Sequence, residues 1–173
     1  MRMPRIAVPV LLAAVLLAQK PAPPPADEKL PLPPPAQPVA FSHKTHATKA
    51  ALKCTNCHPM SGEGFQAGIP KEQLCMGCHA SIKTDSPEIA KLAAFAREKK
   101  PAPWARIYRL PDIVWFSHAS HVKDKGFSCE TCHGAVQERD AVFKEKPTNM
   151  TSCMSCHAAH KASNGCDFCH ASQ

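Results

Sequence analysis

The chain has 173 residues, room for one ordinary domain or two small ones, and carries 10 Cys, 10 His and 18 Pro against an aromatic share of only 6%. That supply of aromatics is poor for a conventional apolar core, no run of about 18–20 apolar residues exists to build a long transmembrane bundle, and 44% hydrophobic residues argue against full disorder. The formal charge of +7 points toward acidic partners only if the whole chain and nothing but the chain is counted.

The N-terminal 20 residues supply part of that charge. Arg2 and Arg5 precede an apolar stretch from Ile6 to Ala18, broken only by Pro9. This is the shape of a secretory signal peptide with cleavage near Ala18. An uncleaved anchor is the competing reading, and the stretch is short for a bilayer of about 30 Å. No Cys lies near the site, so lipid attachment there is not indicated. Export would place the protein in the periplasm, and loss of residues 1–20 would bring the charge from +7 to +4.

Residues 21–40 form a Pro-rich tether, with nine prolines between Pro21 and Pro38. Such a segment is stiff and has no core of its own. Folded protein is expected from about Val39.

All ten cysteines fall in five Cys-x-x-Cys-His units: Cys54–Cys57–His58, Cys75–Cys78–His79, Cys129–Cys132–His133, Cys153–Cys156–His157 and Cys166–Cys169–His170. The spacing is that of covalent c-type haem attachment, two thiols for the two vinyl groups of one porphyrin and the next His as proximal ligand of the iron. A disulfide scaffold has no reason to place His after every pair. Zinc sites of four Cys would leave an odd unit and idle histidines, and a thioredoxin-like motif occurs once, not five times. Five covalently bound c-type haems are expected.

Five histidines remain for five distal positions: His43, His46, His118, His121 and His160. Phe41-Ser42-His43-Lys44-Thr45-His46 and Phe116-Ser117-His118-Ala119-Ser120-His121 lie 75 residues apart, each at the same distance from the following Cys, so the chain contains an internal repeat. On a helical turn i and i+3 project to one side, so one short element serves two adjacent irons. Methionine is the rival ligand. Met76 and Met154 sit inside Cys-x-x-Cys loops, where reaching their own iron is implausible, and Met60 and Met150 read as packing residues.

An iron held by two imidazoles has no open position for a substrate, so electron transfer without bond-making catalysis is expected. The alternative is a reductase of a small oxyanion in which one haem lacks its distal ligand. From Phe41 to Gln173 there are 133 residues, roughly 27 per haem, too few for separate pockets. The haems must themselves be the core, wrapped by short helices and loops with little or no sheet.

The expected layout is a dihaem module over residues 41–85, a helical and aromatic connector over 86–115, and a trihaem module over 116–173. In the connector Ser86 and Pro87 start a helix whose apolar face is Ile89, Leu92, Ala93 and Ala96, with Pro101 and Pro103 beyond its end. Trp104, Ile107, Tyr108, Leu110, Ile113, Val114 and Trp115 then supply an apolar stretch expected to pack the modules together.

The Phe-x-His-x-x-His…Cys-x-x-Cys-His arrangement resembles class III multihaem cytochromes c, and residues 116–173 resemble their three-haem members. The resemblance implies that His118 pairs with His133, His121 with His157, His160 with His170, His43 with His58 and His46 with His79. Gly68-Ile69-Pro70, Cys75-Met76-Gly77-Cys78-His79, Pro103-Trp104-Ala105-Arg106-Ile107, Leu110 to His118, Cys132 to Glu138 and Met150-Thr151-Ser152-Cys153 are similar to the pentahaem subunit of alternative complex III. That likeness implies redox partners: a quinol-oxidising membrane complex and other cytochromes c, with membrane association through a partner or the N-terminal segment. Each bis-histidine haem with ionised propionates adds about −1 oxidised and about −2 reduced. The loaded, processed protein would then carry about −1 or −6, so the basic sequence is no argument for nucleic acid.

Overall fold

The computed structural model describes residues 30–60 and 63–170. The expected signal peptide and the first part of the Pro-rich segment lie outside the described residues.

Short helices joined by loops make up the described chain. They are α1 (His43–Thr48), α2 (Cys54–Cys57), α3 (Glu72–His79), α4 (Pro87–Glu98), a π-helical turn (Ser120–Asp124), α5 (Cys129–His133), a 3-10 turn (Val136–Glu138), α6 (Met150–Ala159) and α7 (Cys166–Cys169). Pairing of extended backbone among the described residues amounts to one isolated bridge, Met60 to Ala67. Local sequence sets the helix ends. Ser42 Oγ accepts from Thr45 N–H at 3.0 Å to open α1. Asn149 and Ser152 cap α6 reciprocally, at 2.9 and 3.1 Å. Helix α4 starts at Pro87 behind Ser86, and Lys99 closes it with a left-handed backbone, φ 55°.

The 75-residue repeat returns as duplicated geometry. Phe41 stands edge-on to His43 (centroids 4.8 Å, 88°) and flat on His46 (4.3 Å, 26°). Phe116 does the same with His118 (4.9 Å, 88°) and His121 (4.5 Å, 27°). Leu52 N–H donates to His46 O at 3.1 Å, and Phe127 N–H to His121 O at 3.1 Å. The two copies also grip each other reciprocally. Lys44 N–H donates to Arg139 O at 3.0 Å, and Ala119 N–H donates to Gly64 O at 3.0 Å. Lys44 and Ala119 are equivalent under the repeat, as are Gly64 and Arg139. When i meets j′ and i′ meets j, the contact is isologous, so the copies are related by a pseudo-twofold axis within one chain.

Little of the body is buried. Among the described residues the buried apolar side chains are Val39, Leu92 and Ala102, and no large side chain is fully enclosed. Helix α3 packs on α4. Glu72, buried at the start of α3, accepts from Ala102 N–H at 2.7 Å.

The described end of the Pro-rich segment is tied to this body rather than projecting from it. Gln37 pairs with both backbone groups of Ala105 (2.9 and 3.0 Å), Ala40 N–H donates to Glu88 at 2.7 Å, and Leu32 N–H to Lys144 O at 3.4 Å. Proline withdraws donors from the segment, and the remaining N–H groups and one amide side chain make the attachments. In the connector, Tyr108 reaches the second half, whereas Ile113 and Trp115 stay exposed. Their backbones nonetheless engage the fifth Cys-x-x-Cys-His unit: Trp115 N–H donates to Cys169 O at 2.8 Å.

Candidate functional site

Each Cys-x-x-Cys-His unit lies on, or at the end of, a helix: α2, α3, α5, α6 and α7. Residues i, i+3 and i+4 then share one helix face, which brings two thiols and an imidazole to the same side. His58 and His170 sit just past the last turn, with closely similar backbones (φ −116°, ψ 67° and φ −119°, ψ 56°). No disulfide joins any two of the ten cysteines, all of which lie among the described residues. Burial pushes Cys57, Cys75, Cys129, Cys132 and Cys153 above the ordinary thiol range.

The histidine rings meet in pairs. His43 and His58 have centroids 6.3 Å apart with planes at 10°, His118 and His133 6.4 Å at 2°, His121 and His157 6.2 Å at 24°, and His46 and His79 6.0 Å at 64°. An iron between two imidazoles, with bonds of ~2.0 Å and a ring radius beyond each, separates the centroids by roughly 6 Å. These are four of the pairs implied by the family resemblance. His160 is placed differently. It rests edge-on against Phe127, centroids 4.9 Å apart, and no ring pair joins it to His170.

Ring orientation is set from behind. Nδ1 faces a backbone carbonyl in His46 (Ser42, 2.8 Å), His58 (Gly68, 2.7 Å), His79 (Ile82, 3.0 Å) and His118 (Phe65, 2.9 Å). The same holds for His121 (Ser117, 2.8 Å), His157 (Ser163, 2.6 Å) and His170 (Ile113, 3.2 Å). A carbonyl only accepts, so Nδ1 carries the proton and Nε2 keeps its lone pair for a metal. The Nδ1 of His43 is buried without a partner. Burial, with His58 and His46 beside it, pulls the pKa of His43 down to about 4, and burial with His118 and His58 lowers that of His133. Both effects keep the ring neutral and able to ligate.

Among the described residues no group of three or more His, Cys, Asp or Glu converges on a bare metal ion. Two axial imidazoles are what an iron needs when a porphyrin fills its other four positions, and a pair of thiols beside each proximal His is what attaches that porphyrin. The residues therefore fit haem.

Some of the supporting groups escape a reading of motifs. The carbonyls behind the rings are backbone atoms with no side-chain signature. Tyr108 is the clearest case. Its hydroxyl donates to His133 O at 3.2 Å and accepts from Glu145 N–H (3.0 Å) and Lys146 N–H (3.3 Å), while its ring stands edge-on to His133 at 4.6 Å. Its position in an apolar stretch signals packing, not this clamp.

Comparison with known proteins agrees with this chemistry. The pattern of the family described as "Cytochrome c7 and related cytochrome c" matches residues 114–171, and that of the "Class III cytochrome C family" matches residues 19–102. The chain is also similar to the "Menaquinone reductase, multiheme cytochrome c subunit" of Nitratidesulfovibrio vulgaris. The two are 31% identical over 160 residues, covering 78% of this chain and 76% of that protein. Paired imidazoles, thiols at attachment spacing and these matches have one explanation: the chain belongs to the class III multihaem cytochromes c, electron-transfer proteins with covalently bound c-type haem.

Proposed function

We propose that this cytochrome is an exported, periplasmic protein that carries five haems and relays electrons from a quinol-oxidising membrane complex to a downstream acceptor such as another cytochrome c. The carrying observation is the set of four imidazole pairs at 6.0–6.4 Å, closed to any substrate once an iron lies between them. Kinship with a menaquinone reductase subunit supports a partner of quinol chemistry.

In this reading Cys54/Cys57, Cys75/Cys78, Cys129/Cys132, Cys153/Cys156 and Cys166/Cys169 hold the porphyrins. His58, His79, His133, His157 and His170 are the proximal ligands, and His43, His46, His118, His121 and His160 the distal ones. Each haem supplies a one-electron couple. Backbone carbonyls behind seven of the rings hold their orientation and keep Nε2 unprotonated, and the four ring pairs leave no vacant position at their sites. His160, edge-on to Phe127 in the structure, completes the fifth pair with His170 in this reading.

The test combines intact mass and a pyridine haemochrome count with fractionation and low-temperature EPR of the oxidised protein. Five haems per chain, a periplasmic or membrane-attached pool and five low-spin ferric centres are expected. The placement of His160 against Phe127 bears on a second reading, in which the fifth haem is open and reduces a small oxyanion. A stoichiometric high-spin signal would overturn the all-bis-histidine relay and favour that reading.

A further inference from the structure

The five attachment units are spread along the sequence in an order that need not be their order in space. Four spatial junctions follow from contacts on the chain itself. The first and second units share α1: His43 faces His58 and His46 faces His79, three residues apart on one helix. The third and fourth units share the equivalent turn, where His118 faces His133 and His121 faces His157. The fourth and fifth meet where Phe168, inside the last Cys-x-x-Cys, stands 6.1 Å from the ring of His157.

The junction between the halves lies on the pseudo-twofold axis. Cys54 and Cys129, equivalent under the repeat, are neighbours in space. His58 and its equivalent His133 are neighbours as well. On either side the reciprocal hydrogen bonds Lys44–Arg139 and Ala119–Gly64 hold this arrangement, and His118 Nδ1–H donates across it to Phe65 O at 2.9 Å. Cys57 of the first unit neighbours Cys75 of the second, and Cys156 of the fourth neighbours Cys132 of the third.

We propose that the haem sites form one unbranched file in the order second, first, third, fourth, fifth, in which the two halves of the repeat are joined back to back through the first and third sites. This deepens, and rests on, the reading of the chain as a five-haem relay. The file makes the second site, at α3, and the fifth site, at α7, its two ends. Electrons would enter at one of these and leave at the other, and the sequence neighbours of the connector, the second and third units, would not exchange directly.

The experiment is an NMR-followed redox titration of the complete holoprotein, with each haem assigned through its axial histidine. Reduction of one haem shifts the midpoint of another by charge repulsion, which falls with distance and is screened over about 8 Å at physiological salt. The mutual shifts for second–first, first–third, third–fourth and fourth–fifth are expected to exceed those of the other pairs several-fold. A first–third shift no larger than the second–third or first–fourth shift would overturn the order. In Gly64→Leu, whose side chain is driven into Ala119, the first–third shift should fall while second–first and third–fourth persist; an unchanged first–third shift would also count against the junction. If that variant does not fold, the wild-type titration still decides. Five low-spin haems coupled in another order would refute the file alone, whereas fewer than five haems or a high-spin centre would refute the relay reading itself.

Discussion

The carbonyl of Gly64 accepts from the N–H of Ala119, and a β-carbon at position 64 would collide with the β-carbon of Ala119. The two halves of the repeat therefore approach to backbone contact at this point, and Gly64 also sits at φ +77°. Its repeat equivalent, Arg139, makes the matching bond to Lys44 with an extended backbone, φ −106°. The two strands of the junction are equivalent in their bonds and different in their curvature.

Gly64→Ala should destabilise the holoprotein by about 2–4 kcal/mol, combining a positive-φ penalty of ~1 kcal/mol with a steric one of ~1–3 kcal/mol. Thermal melts followed by circular dichroism measure it. Adding Ala119→Gly should recover the steric part and leave the backbone part, so the double variant melts above Gly64→Ala and below the parent. No recovery would mean that the close approach is not the source of the loss.

Tyr108→Phe keeps the ring against His133 and removes the hydroxyl that meets His133 O, Glu145 N–H and Lys146 N–H. Unpaired polar groups in a half-buried setting cost about 1–3 kcal/mol. Denaturant unfolding of the two proteins should show that loss, together with a changed low-spin EPR signal for the haem bound by His133. A stability change with an untouched EPR spectrum would restrict Tyr108 to holding the chain.

His46 and His79 cross at 64°, whereas the other three pairs lie within 24° of parallel. Crossed imidazole planes leave the iron orbitals nearly degenerate, so the haem bound by His79 should give the most anisotropic low-spin signal. His46→Ala should remove that signal and create one high-spin centre per chain. His43→Ala should create a high-spin centre too, but leave the anisotropic signal in place.

Glu145 binds Arg139 through both carboxylate oxygens, at 2.7 and 3.2 Å, and this pairing holds its carboxyl below the ordinary 4.5. A depressed carboxylate contributes stability that is whole above pH 4.5 and is lost as pH falls through its lower folded value. Glu145→Gln should thus melt below the parent at neutral pH, and the gap should close on acidification and in high salt. Melting curves at several pH values read this directly; a gap constant with pH would show that charge is not involved.

Removal of the haems tests what holds the fold. With only Val39, Leu92 and Ala102 as buried apolar side chains among the described residues, the chain has too little apolar burial to offset an ordering cost of about 1–2 kcal/mol per residue. Protein made without haem attachment should show weak helical circular dichroism and rapid proteolysis. A cooperative melt of the haem-free chain would contradict the view that the porphyrins are the core.

Much of the fold is legible in the sequence. Helix α4 runs from Pro87 to Glu98, where Ser86, Pro87 and the following Pro101 mark it, because caps and breakers act over a few residues. The attachment units are legible because the Cys-x-x-Cys-His pattern occupies five contiguous positions. Less legible were the tied-down Pro-rich end, whose hold depends on Gln37 meeting Ala105 across 68 residues, and the exposure of Ile113 and Trp115. His160 shows the limit most plainly. Family likeness pairs it with His170, and the fold rests it edge-on against Phe127, a ring from another part of the chain that no motif points to.

By itself the sequence determined the chemistry of the chain: attachment of haem, an ample supply of imidazoles and a duplicated 75-residue pattern. These are local or repeated signals, and residues close along the chain stay close in any fold. The tertiary structure alone decided how the copies face each other, that the carbonyls of Phe65 and Ile113 lock the rings of His118 and His170, and that Cys54 lies beside Cys129 across a pseudo-twofold axis. Such relationships join residues tens of positions apart, and they arise from packing two similar surfaces together, which no short stretch of sequence encodes.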